Sequence, residues 1–280
     1  KVMKERQKAS LGTVNLIKYI EDYFPPHTDF RSIVVLSQIM QAFAIKSAVE
    51  IHRRNKPFCM GTLYWQFNDC WPAISWSSVD YFGNWKALHY HAKRFFNEII
   101  IVIHEKEERI HISVINDKHK KVESRIQLQL STFEGFMLHE KTFDYTIKEA
   151  SSEVVYSFEK NRYLKGKAPS ELFIHAEIRK GKKAVCNNKY YFVVPKDLNL
   201  PASNFNYETK KIGEMISIQI QALSFVYQLY IICNNADGVF SDNFFDLLVG
   251  ETVTIYFTPR EKSIDLKYDF SLNTAMDIGI

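Results

Sequence analysis

Glycine is scarce in this chain, at 10 of 280 residues, and only 8 prolines and 4 cysteines accompany it. So little glycine and proline excludes collagen-like repeats and low-complexity linkers. The cysteines Cys59, Cys70, Cys186 and Cys233 fit no CxxC or zinc spacing, so they read as four free, mostly buried thiols. No block of Lys and Arg of the nucleic-acid-binding kind occurs; Arg53–Arg54 is only a pair. The one uncharged run of 18 residues or more, 215–236, is interspersed with Gln, Ser and Asn, so no membrane-spanning helix is expected. GxGxxG, P-loop, HExxH and GxSxG sequences are absent as well, so no cofactor and no metal is expected. His89 and His91 sit two apart on an expected helix and diverge, which makes them a poor metal pair.

What is present is a chain 46% hydrophobic and 24% charged, enough for a large core and more than one domain. The net charge of +4 is unevenly spread. Residues 1–96 hold 13 Lys and Arg against 7 Asp and Glu, whereas residues 97–280 are slightly acidic. Tryptophan is more uneven still. Trp65, Trp71, Trp76 and Trp85 fall within 21 residues, and the remaining 259 have none. Such a cluster marks either a core or a surface that stacks on flat apolar ligand faces.

Residues 10–97 alternate helical and strand patterns. Leu11, Val14, Ile17, Ile20 and Phe24 recur at helical spacing until Pro25–Pro26. Asp29 is placed to cap a second helix, which runs to about Arg54 and is apolar enough to be buried on more than one side. Met60–Phe67 (MGTLYWQF) predicts a strand buried on both faces, and a third helix is expected from about Asn84 with Trp85, Leu88, Ala92 and Phe95. Helix, buried strand, helix is α/β grammar. From residue 98 the pattern changes to short alternating strands. In Arg125–Leu130 the apolar Ile126, Leu128 and Leu130 alternate with Gln127 and Gln129. PKDLNLP (195–201) reads as a linker, followed by MISIQIQAL, FVYQLYIICN, TVTIYFTP and SIDLKYDF as further strands. Two consecutive antiparallel sandwiches are expected.

The carboxyl end of the 60–67 strand is the best candidate site, because ligands gather at such ends in α/β sheets and barrels. It offers Trp65, Asn68, Asp69 and Trp71. An indole stacks on the C–H face of a sugar, and Asn and Asp hydrogen-bond its hydroxyls. The same aromatics also serve as core packing, and position alone does not choose between the two. Asp69 and Asp80 are the only acids between Glu50 and Glu98, so a pair of catalytic carboxyls is not evident.

GTLYWQFNDCWPAISWSSVDYFGNWKALHYHAKRFF (61–96) resembles the segment around the last barrel strand of the β-mannosidases of glycoside hydrolase family 2. The preceding LSQIMQAFAIKSAVEIHRRNKPFCM (36–60) is similar to the family's sequence before that strand. NNADGVFSDNFFDLLVGETVTIYFTP (234–259) resembles its final immunoglobulin-like domain. The resemblance implies a multidomain α/β plus all-β chain. Residues 1–97 would be the last helix-strand-helix portion of a (β/α)8 barrel. Residues 98–197 and 198–280 would be two immunoglobulin-like β-sandwiches. A complete barrel takes about 250 residues.

The implied activity of the parent is hydrolysis of terminal, non-reducing β-D-mannose with retention. The family's acid/base Glu, after an Asn, and its nucleophile Glu, in a Ser-Glu-Phe-Gly-like stretch, have no counterpart here. Asn97–Glu98 follows the last barrel helix and does not match. The chain alone is therefore expected to have no catalytic residue and no activity. Trp65 is implied as the platform under the mannose ring, with Asn68, Asp69 and Trp71 lining or bracing the pocket and Trp76 and Trp85 packing. Expected partners are a β-mannoside oligosaccharide or glycan, the rest of the parent enzyme and a second copy of the chain, with no nucleic acid or membrane. A β-galactosidase or β-glucuronidase of the same family, and a non-catalytic carbohydrate-binding sandwich module, are the alternatives.

Overall fold

The computed structural model describes residues 5–7, 9–26, 29–164, 166–261 and 267–276. Part of the charged N-terminal stretch and Ser263–Leu266 of the expected SIDLKYDF strand lie outside them. The chain forms two compact units. One comprises residues 1–44, 64–91 and 201–280, and the other 45–63 and 92–200.

Helix α1 (Gly12–Tyr23) buries Ile20 and ends before Phe24, which is itself buried. Helix α2 (Phe30–Arg54) starts as the sequence predicts, with the Asp29 carboxylate accepting from the Ser32 amide at 2.9 Å. Its buried residues Ser32, Val35, Leu36, Ile39, Ala42, Val49 and Arg53 form one stripe, with Ser37 off it. The expectation of burial on several sides is therefore corrected to one face. Admitting a charge or two, α2 is long and apolar enough to cross a membrane. A core helix has the same composition, and this stripe is how one packs.

The strand expected over Met60–Phe67 does not form. Among the described residues this segment joins no ladder, and most of its apolar side chains face outward: Met60 is 67% exposed, Leu63 99% and Phe67 64%. A strand exists only through the N–H and C=O groups of neighbouring strands. None flanks this stretch, so its apolar residues find no cover. Helix α3 (Ala87–Phe95) starts three residues later than expected. Asn84 and Trp85 are engaged elsewhere: the Asn84 amide donates to Asp80 at 2.8 Å, and Trp85 bridges to Val79.

The unit of residues 45–63 and 92–200 holds seven strands: β1 (Ile99–Lys106), β2 (Arg109–Asn116), β3 (Val122–Thr132), β4 (Met137–Ile147), β5 (Ser151–Glu159), β6 (Leu172–Lys180) and β7 (Lys183–Tyr191). They form two antiparallel sheets, ordered β1-β2-β5 and β4-β3-β6-β7. One core joins the sheets, with Ile101, Ile110 and Ile112 from the first and Ile126, Leu128, Ile174 and Ile178 from the second. The alternation read in Arg125–Leu130 is the in-out alternation of β3. The last turns of α2 join this unit through polar contacts. Buried Asn188 on β7 accepts from Lys46 at 2.8 Å and donates to Glu50 and the Ile101 carbonyl, each at 3.0 Å. Arg53 donates to the carbonyls of Phe95 and Asn97 and pairs with Asp117 at 2.8 Å.

In the other unit lie β8 (Phe205–Ile212), β9 (Met215–Ala222), β10 (Val226–Cys233), β11 (Gly238–Phe240), β12 (Phe245–Leu247), β13 (Thr252–Pro259) and β14 (Phe270–Asn273). Their sheets are ordered β11-β13-β9-β8 and β12-β10-β14. Phe257 of one sheet meets Phe270 of the other edge-on, with centroids 5.4 Å apart. The close approach of Phe257 explains Gly238, where a Cβ would come within 2.4 Å of that ring. Strands β5, β8, β11 and β12 were not evident in the sequence. Of the predicted SIDLKYDF strand, residues 267–269 are not in a strand and Phe270 opens β14; the rest lies outside the described residues.

Candidate functional site

The four candidate residues lie on or beside a loop, residues 66–79, closed at its neck by backbone bonds. The Gln66 amide donates to the Trp76 carbonyl at 3.2 Å, and the Val79 amide to the Phe67 carbonyl at 2.9 Å. Ser78 donates from its amide to the carbonyls of Gln66 and Phe67. The Tyr64 hydroxyl donates to Ser78 Oγ at 3.0 Å, and Gln41 of α2 donates to the Trp76 carbonyl at 2.8 Å. The Trp65–Gln66 peptide is cis.

Asp69 is the polar centre of this loop and is 6% exposed. Its carboxylate accepts from the Ser75 and Ser77 hydroxyls, both at 2.5 Å, and from the Lys86 ammonium at 3.1 Å. Lys86 also donates to Ser77 Oγ at 2.6 Å. Burial pushes the Asp69 carboxyl up, but the hydrogen bonds from Ser75 and Ser77 and the nearby Lys86 outweigh it. The group stays below the usual carboxylate pKa. With Gln66 Nε2 at 3.4 Å as a fourth donor, this ionised carboxylate is a poor proton donor and has little capacity left for a ligand. Sequence reasoning missed Ser75, Ser77 and Lys86; the only available signal was their nearness to Asp69 in a Trp-rich stretch.

The other candidates sit differently. Trp65 is 74% exposed, Asn68 is exposed and bridges Val79, and Trp71 is partly exposed. Trp65 and Asn68 thus present free surface beside a loop that Asp69 stiffens from within. Trp85 packs as expected, edge-on to His89 at 4.4 Å and tilted against Tyr90 at 5.3 Å. Trp76 does not: it is 57% exposed, with its backbone, rather than its ring, tied into the loop. His89 Nδ1 lies 3.2 Å from Ser78 Oγ, and burial lowers its pKa. Among the described residues no three His, Cys, Asp or Glu side chains gather as a metal site.

Residues 108–197 match the family model of the mannosidase Ig/CBM-like domain, and residues 200–278 match an Ig-fold domain model. The β-mannosidase of Bos taurus is 27% identical over 97% of this chain, and β-mannosidase A of Aspergillus terreus is 26% identical over 92%. The chain spans about a third of the length of these relatives, 33% and 30% respectively. The crystal structure of the β-D-mannosidase from Dictyoglomus thermophilum superposes on 97% of this chain and 33% of its own, with a TM-score of 0.86 and 28% identity. An exo-chitosanase from Amycolatopsis orientalis shares the fold at a TM-score of 0.72 and 14% identity, covering 92% of this chain and 35% of its own. By the two consecutive domain matches, the relatives and the fold, this chain is similar to β-mannosidases of glycoside hydrolase family 2.

Proposed function

We propose that the chain is part of a retaining exo-β-mannosidase that removes terminal, non-reducing β-D-mannose from oligosaccharides or glycans. The observation that carries this reading is the likeness to β-mannosidases over 97% of the chain. In it, residues 1–97 complete the end of a (β/α)8 barrel, and residues 98–197 and 198–280 are the trailing sandwiches. The outward apolar side chains of Met60, Leu63 and Phe67 are what a barrel strand presents when its neighbours belong to the rest of the enzyme.

Trp65 offers the C–H face of the terminal sugar a flat apolar platform, and Asn68 is exposed beside it to meet hydroxyls. Asp69 braces the loop that carries Trp71. Retention needs two carboxyls about 5–5.5 Å apart. Asp69 is fully engaged and Asp80 is bonded to Asn84, so both catalytic acids come from outside this chain, which is inactive alone.

Aryl β-mannoside, β-galactoside and β-glucuronide are offered to the purified 280-residue chain and to a longer polypeptide containing it. The expected result is no turnover by the chain, β-mannoside turnover by the longer protein, and a loss of tenfold or more in kcat/KM with Trp65→Ala, about the worth of one stacking ring. Turnover of the β-galactoside or β-glucuronide in preference to the β-mannoside refutes the substrate assignment. Turnover by the chain alone refutes the division of the site.

A further inference from the structure

We propose that strand β8 is a docking edge for a second copy of this chain, joined by a two-fold antiparallel pairing centred on Thr209. Among the described residues β8 is the last strand of its sheet, paired with β9 on one side only. Every residue from Asn206 to Ile212 is exposed. A long edge strand with unpaired N–H and C=O groups is a template for another strand.

The register shows which groups are on offer. Ile212 and Met215 face each other across the two-residue turn Gly213–Glu214, so their peptide groups bond to one another. Hydrogen-bonded pairs then recur at Lys210, Glu208 and Asn206, whose peptide groups point to β9. The Lys210 carbonyl accepts from Ser217 Oγ on β9 at 3.1 Å, in agreement. Thr209, Tyr207, Lys211 and Phe205 therefore turn their N–H and C=O groups to the open side.

A two-fold pairing must match open groups with open groups, and charge selects among the registers that do so. Centred on Glu208, the pairing sets two like carboxylates opposite each other. Centred on Lys210, it does the same with two ammonium groups. Centred on Thr209, Glu208 of each copy faces Lys210 of the other, twice over, on one side of the ribbon. Tyr207 faces Lys211 on the other side. Opposite charges across strands attract, and like charges repel. Among the described residues neither Glu208 nor Lys210 enters an ion pair within its own chain. This edge thus carries a self-complementary charge pattern, and among the described residues no ion pair uses it.

The test is sedimentation equilibrium of the 280-residue chain, repeated with Lys210→Glu, Glu208→Lys, the double swap and Thr209→Pro. Proline is tolerated at an edge position whose N–H faces outward, so Thr209→Pro removes one donor and leaves the sheet intact. The wild-type chain is expected to dimerise. Each single charge change should weaken dimerisation about tenfold or more, since two pairs turn from attraction to repulsion. The double swap should restore it, and an equal mixture of the two single variants should form a heterodimer. A monomeric wild type, or single variants and Thr209→Pro that dimerise like wild type, overturns the proposal.

Discussion

Replacing Asp69 by alanine removes one acceptor from four donors at once: Gln66, Ser75, Ser77 and Lys86. It leaves the Lys86 ammonium, itself nearly buried, without its counter-charge, and frees the Ser75 and Ser77 hydroxyls inside the loop. Removing one partner of a buried ion pair costs about 3–5 kcal/mol. That is a large part of the roughly 5–15 kcal/mol that holds a domain folded. Removing one hydroxyl, as in Ser75→Ala or Ser77→Ala, takes away its hydrogen bond to the carboxylate and the one that it accepts from Lys86, and costs about 1.5–3 kcal/mol or more. Lys86→Ala with Asp69→Ala should cost less than the sum of the two, with a coupling of about 1–3 kcal/mol. The assay is urea unfolding followed by tryptophan emission. All four tryptophans lie between residues 65 and 85, so the signal reports this loop and its surroundings. An Asp69→Ala loss below about 1 kcal/mol, or strict additivity with Lys86→Ala, would show that the network does not stiffen the loop. The pH dependence has a fixed sign. The Asp69 pKa is depressed in the fold, so its contribution is complete above the unfolded value near 4 and is lost as pH falls through the lower folded value.

Three further outcomes follow from the geometry. Trp65→Ala should leave the unfolding midpoint nearly unchanged, since the ring is exposed, whereas Trp85→Ala should cost about 2 kcal/mol or more through lost packing on His89 and Tyr90; equal losses by thermal melting would contradict this division. Arg53→Met should destabilise the middle sandwich by about 3 kcal/mol, because Asp117 and the carbonyls of Phe95 and Asn97 lose a buried donor; an unchanged circular-dichroism melt would refute it. Burial lowers His175 to a pKa of about 3 and His104 to about 4. Both are neutral in the fold, so their stabilisation is complete above the unfolded value near 6.5 and declines as pH falls below it, by at most about 1.4 kcal/mol per pH unit for each. NMR titration should show the His175 ring neutral at pH 5, and a midpoint near 6.5 would refute its burial.

Periodicity made the helices legible: the Asp29 cap and the apolar spacing of α1 and α2 appear where the sequence puts them. Alternation likewise revealed β3, whose two faces differ sharply in burial. It failed for β8, because an edge strand exposed on both sides has no apolar face to betray it. The strand over 60–67 shows the opposite failure. Its composition is that of a buried strand, but composition records what a segment can pack against, and among the described residues no strand flanks it. At the candidate site, residue types pointed to Asp69 as a group for a ligand's hydroxyls, yet its distances make it a brace. Sequence cannot separate these roles, since a buried hydrogen-bond network is assembled from residues up to 17 positions apart, as Asp69 and Lys86 are.

The last turns of α2 set a limit on how the chain can be cut. Lys46, Glu50, Arg53 and Arg54 precede the first sandwich strand by some 45 residues, yet they satisfy Asn188, Asp117 and the carbonyls of Phe95 and Asn97, and the Arg54 carbonyl takes the Ser152 hydroxyl. A sandwich excised at residue 97 would keep all seven strands and lose the plug over one end. Its minimal autonomous piece starts at about residue 45, inside what the sequence alone would assign to a different domain.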